Sequence, residues 1–157
     1  MTMTQLPDSR HRHAPLRAAV AALVLAASAF GASAQAQRGD TLYRELGAQP
    51  GLVRLVDDFM LRLLADARMN PFFAETDQKV FKSQLVAQFC EVAGGPCRLK
   101  GKDMKTVHSG QDITKSNFNA LVEVLQASMD AQGLPFAAQN RLLARLAPMH
   151  REIVNAP

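Results

Sequence analysis

Apolar residues from position 42 onward recur at every third or fourth place. In "PGLVRLVDDFMLRLLADARM", Leu52, Leu55, Val56, Phe59, Met60 and Leu63 stand at i, +3, +4, +7, +8 and +11. That spacing belongs to a helix with one buried face. Pro50 is well placed to open it, after a short segment over Asp40–Leu46 that Gly47 breaks. Asn70-Pro71 is expected to end it, and a tight apolar corner with Phe72 and Phe73 follows. Thr76 is the expected cap of the next helix, with Val80, Phe81, Leu85, Phe89 and Val92 on its inner face. Gly94-Gly95-Pro96 stops that helix. A loop through Gly101 leads to a short helix in which Met104, Val107 and His108 fall at i, i+3 and i+4, ended by Gly110. Thr114 is placed to cap a helix carrying Phe118, Leu121, Val122, Leu125 and Met129, closed by Gly133. Pro135 opens the last helix, with Leu142, Leu143, Leu146 and Met149 on its apolar face and a bend at Pro148. No strand pattern of convincing length occurs, so the expected class is all-α.

The first 36 residues read differently. A polar stretch with Arg10, Arg12 and Arg17 precedes "AAVAALVLAASAF", an apolar run of 13 residues, and then "GASAQAQ" offers two A-x-A sites. This is the layout of a secretory signal peptide; the run is too short to span a bilayer. The expected organisation is a cleaved signal over 1–36 and one domain over 37–157, located in the periplasm or secreted, with no stable membrane insertion after cleavage. Removing the leader lowers the formal charge from +4 to +2, since Arg10, Arg12, Arg17 and Asp8 go with it. The remaining lysines are scattered and Trp is absent, so the chain carries no nucleic-acid footprint.

Cys90 and Cys97 both lie in the domain. In an exported protein such a pair reads either as a short-loop disulfide or as two unpaired thiols, one on a helix and one in a loop. The spacing of Cys90, Cys97, His108 and His150 matches no zinc motif, and His150 reads as a solvated surface residue. Gly-rich phosphate loops and nucleophile–base arrangements are absent from the sequence. A cofactor that needs one imidazole and a large apolar slot is haem. His108, on an apolar helix face, is the candidate ligand; the alternative is a core histidine with a satisfied ring.

The order of the pieces decides more than any one of them. "LYRELG", "DDF", "NPFF", the "GGP" turn and "MKTVHSG…IT" resemble the truncated (2-on-2) haemoglobins, closest to their group I, from Leu42 to about Ile153. The resemblance implies a truncated globin fold, a 2-on-2 helical sandwich around haem b. It implies that His108 is the proximal iron ligand and that Phe73 packs on the haem plane. Phe81, Leu85 and Phe89 would face the distal side, Met104 and Val107 the proximal side, and Lys82 and Lys105 would contact the propionates.

One departure changes the expected chemistry. After "DDF" the family usually places a tyrosine that donates a hydrogen bond to the gas ligand; here the position is Met60. The family's supporting glutamine is replaced by Leu85, and Gln84 and Gln88 are expected to point away from Leu85's face. An apolar distal pocket forgoes a hydrogen bond worth about 1.5–3 kcal/mol, so O2 should be held weakly and lost or autoxidised fast. The leading reading is a haem globin that reversibly binds O2, NO or CO, any catalysis being NO dioxygenase or peroxidase-like. Two alternatives stay open: an exported redox carrier with His108/Met60 ligation and a redox partner protein, and a haem-free helical interaction module.

Overall fold

The computed structural model describes residues 41–157; the expected signal segment lies outside them. All regular structure among the described residues is helical: α1 (Thr41–Glu45), α2 (Ala48–Ala65), α3 (Asn70–Phe73), α4 (Gln78–Val92), α5 (Met104–His108), α6 (Lys115–Ala131), α7 (Phe136–Leu146), a 3-10 turn (Ala147–Met149) and α8 (His150–Ile153). The helix α2 packs against α4 and α6, and α7 packs against α1, α4 and α6. Two long pairs, α2 with α4 and α6 with α7, thus form the domain.

The buried stripe of α2 is the one its periodicity predicts: Leu52, Leu55, Val56, Phe59, Met60 and Leu63 are each at most 2% exposed. Gly47, in a left-handed conformation at φ 81°, joins α1 to α2. Gly51 then lets the two helices cross closely, because a Cβ there would lie 2.1 Å from the Leu46 carbonyl oxygen.

Three predicted boundaries shift for local reasons. The helix α2 ends at Ala65 rather than at Asn70-Pro71, because Asp66 leaves helical geometry and accepts from the Arg68 backbone and side chain. Those Arg68 bonds hold the Asp66 carboxyl at about 2. "NPFF" itself is a single helical turn, α3, with Pro71 in its first positions. At α4 the cap is Asp77, whose Oδ1 accepts from Val80 N at 3.0 Å, while Thr76 Oγ1 donates back to Phe72 O. The Thr114 cap holds as expected, completed by Asn117 into a reciprocal capping box. Pro148 converts the end of α7 into the 3-10 turn that leads to α8.

The greatest difference lies in α4. Its buried residues are Val86, Phe89 and Cys90, continued by Ala93, and Val80 is exposed. Phe81, Leu85 and Gln88 form a second, half-buried stripe. One side of α4 completes the core, and Phe81 and Leu85 on the other pack at its margin. Cys90 and Cys97 form a disulfide with a Cα–Cα distance of 5.7 Å, tying the end of α4 to the loop that leads toward α5. Gly95 is enclosed there: a Cβ would meet Cys90 Sγ at 2.7 Å and Tyr43 at 2.8 Å.

Candidate haem-ligand site

The short helix α5 exists because Asp103 caps it. The carboxylate accepts from Thr106 N at 2.8 Å and from Thr106 Oγ1 at 3.0 Å, and these bonds hold the Asp103 pKa below the ordinary aspartate range. Met104 and His108, four residues apart, are half-buried on one face. His108 Nδ1 lies 2.7 Å from Met104 O. A carbonyl only accepts, so Nδ1 carries the proton and Nε2 keeps its lone pair. An imidazole fixed in this tautomer by a backbone carbonyl is the usual arrangement of a metal-ligating histidine.

A half-buried stripe of the domain comes from α3 and α4. Phe73 and Phe81 meet edge to face with centroids 5.2 Å apart. Leu85 lies one turn on, and Gln88 a further turn. Gln88 Nε2 donates to Met104 Sδ at 3.6 Å and to Met149 Sδ at 3.2 Å, so Gln88 faces α5 and the 3-10 turn. Gln88 therefore points inward, against expectation, because it stands at i+3 from Leu85 and shares its face. His150 is not a solvated residue either: it is half-buried and stands edge-on to Phe118 at 4.8 Å.

The other expected site residues are placed differently. Met60 and Phe89 are both 2% exposed within the core cluster rather than on the half-open stripe. Lys82 is not brought to the His108 region as a free cation. Its Nζ pairs with Asp57 on α2 at 2.7 Å, because residue 82 follows Phe81 by 100° and turns toward the α2–α4 seam. Lys105 is exposed, and Val107 is 41% exposed beside His108.

A half-buried imidazole with one nitrogen left for a ligand, in a domain with a half-buried apolar stripe on α4, suits a flat, apolar group that needs a single protein ligand, and these are the demands of haem. The chain matches the bacterial-like globin family over residues 41–155. The chain belongs to the bacterial-like globins. It is 32% identical to the group 1 truncated hemoglobin GlbN of Mycolicibacterium paratuberculosis, over 72% of this chain and 83% of that protein. It is 30% identical to the group 1 truncated hemoglobin LI410 of Chlamydomonas moewusii, over 98% of this chain and 90% of that protein. The crystal structure of the truncated hemoglobin of Tetrahymena pyriformis in its Fe(III) form superposes with a TM-score of 0.70 at 27% identity, covering 73% of this chain and 97% of that one. The expected all-α, 2-on-2 fold and group I membership of this truncated haemoglobin are therefore established.

Sequence reasoning missed two residues of the site. Gln88 was legible, since 85 and 88 share a helix face. Asn155 was not: its amide donates to His108 O at 2.6 Å from 47 positions away, and no local pattern announces such a contact.

Proposed function

We propose that this truncated haemoglobin holds haem b through His108 Nε2 and binds diatomic gases, O2 foremost and NO and CO with it, in a pocket without a hydrogen-bond donor near the ligand. The observation that carries the reading is the 2.7 Å bond from His108 Nδ1 to Met104 O, which leaves Nε2 available on the half-buried face. When bound, haem supplies an iron with an open coordination position. The chain's own residues supply the rest. His108 would bind the iron, the Met104 carbonyl would hold its ring, and Phe73, Phe81 and Leu85 would keep water away.

Phe81 and Leu85, the apolar groups of the half-buried stripe, offer no N–H or O–H, and neither does the covered Met60 beneath. Gln88, the polar group of that stripe, has its amide engaged by two methionine sulfurs. Polarised O2 gains no donor there, whereas the less polar CO loses little. The His108/Met60 redox alternative draws no support from the fold, because Met60 is covered by protein at 2% exposure and acts as an apolar filler.

The proposal extends to location: residues 1–36 direct export and are removed, and the domain from 37 works in the periplasm or outside the cell. Support comes from the 13-residue apolar run and the A-x-A sites, together with a disulfide that suits an oxidising compartment. Optical spectra of the purified protein test the ligand reading. The expected result is an intense Soret band that shifts on reduction and on CO addition and is lost or displaced in His108→Ala. A colourless protein that takes up no added haemin would refute it. Intact mass of the exported form tests the leader.

A further inference from the structure

Asn155 touches both ends of the segment that carries the proposed ligand. Its Nδ2 donates to His108 O at 2.6 Å, and its Oδ1 accepts from Ile113 N at 2.7 Å. The Asn155 and Ala156 backbone amides in turn donate to Ile113 O at 3.0 and 3.1 Å. Ile113 is buried at 8% exposure, which gives the clamp a fixed point. Between His108 and Ile113 the chain leaves the helix and passes through Gly110 and Asp112, both at positive φ. Such a segment has few backbone bonds of its own: Gln111 N reaches His108 O at a long 3.3 Å, and Gln111 Nε2 reaches Val107 O at 3.0 Å.

We propose that Asn155 is a positioning residue for His108. It fixes the peptide plane that follows His108, and so the backbone from which the imidazole projects. Met104 O sets the rotation of the ring from the helical side, and Asn155 sets the root of the side chain from the loop side. The packing of α8 against α5 holds the two elements at the distance this bridge requires. The inference rests on the His108–haem reading above. A partner of this kind orients the ligand, and its removal typically lowers metal affinity by about 10–100-fold.

The two ends of the Asn155 amide can be separated. Asn155→Asp keeps an acceptor for Ile113 N but replaces the donor to His108 O with an oxygen that repels it; Asn155→Ala removes both. The experiment compares haem-loaded wild type, N155D and N155A by haem transfer to excess apomyoglobin and by the resonance Raman iron–histidine stretch of the reduced protein. Ile113 amide exchange is followed in the haem-free forms. The expected result is haem loss accelerated about 10–100-fold in both variants, with a displaced iron–histidine stretch. Ile113 should stay protected in N155D and lose protection in N155A. Wild-type rates and stretch in N155D with Ile113 still protected would overturn the positioning role, leaving Asn155 a loop staple only. A wild type that binds no haem, or shows no iron–histidine stretch, would overturn the ligand reading and this inference with it. The Ile113 exchange pattern tells the two failures apart, because it does not depend on haem.

Discussion

Replacing Met60 by tyrosine restores the hydroxyl that group I relatives are expected to carry at this place, and two opposing energies follow. Met60 is 2% exposed, enclosed by a core that includes Phe59, Leu63 and Phe89. A larger ring there overpacks the core by about 1–3 kcal/mol. In the haem-free protein the new hydroxyl also meets only apolar neighbours in that core cluster. The apoprotein should therefore melt about 4–12 °C lower, taking about 4 °C per kcal/mol for a domain of this size. In the haem-loaded protein the hydroxyl gains a polarised partner worth about 1.5–3 kcal/mol, which is about a ten- to hundredfold gain in O2 retention. Stopped-flow displacement of O2 by CO should show slower O2 release in Met60→Tyr, with the CO release rate changed far less. If wild type and Met60→Tyr release O2 at the same rate, the apolar-pocket argument is wrong.

Other consequences are equally open to measurement. Cys90→Ala with Cys97→Ser removes a bridge closing a loop of sequence separation 7; the loop-entropy relation gives about 2.5 kcal/mol, or about 10 °C in Tm by scanning calorimetry. Gly51→Ala places a methyl 2.1 Å from the Leu46 carbonyl oxygen, so urea unfolding should show a loss of about 1–3 kcal/mol, and a neutral outcome would contradict the described α1–α2 crossing. Asp103 has its folded-state pKa lowered, first by the Thr106 backbone bond. Its contribution to α5 is complete above the ordinary aspartate value of 3.8 and disappears as pH falls through the lower folded value. The stability difference between wild type and Asp103→Asn should therefore be constant above about pH 5 and move against wild type in more acid solution.

What could be read in the sequence divides along a physical line. The α2 stripe from Leu52 to Leu63 was legible because one helix face meets one core, so period alone locates it. For α4 the same reasoning erred: Val86, Phe89 and Cys90 are buried while Phe81, Leu85 and Gln88 form a half-buried stripe, and a helix with two stripes has no single period to follow. His108 was singled out through the order of motifs around it, and its placement on a half-buried helix face matches the i, i+4 spacing of Met104 and His108. The pairing of Lys82 with Asp57, the disulfide, and the Asn155 bridge all depend on distances between segments, which one-dimensional spacing does not carry. The cap at Asp77 rather than Thr76 turned on one residue's φ and ψ.

The disulfide has a bearing on how the cofactor is acquired. It joins the last turn of α4 to the loop just ahead of α5, and Glu91 Oε2 accepts from Leu99 N at 2.8 Å on the same stretch. Oxidation therefore preorganises the approach to His108 before any haem arrives. The bridge is worth about 2.5 kcal/mol, which caps at about seventyfold any difference in haem affinity between the oxidised and reduced forms. Cys90 and Cys97 are the point at which compartment could be felt by the cofactor.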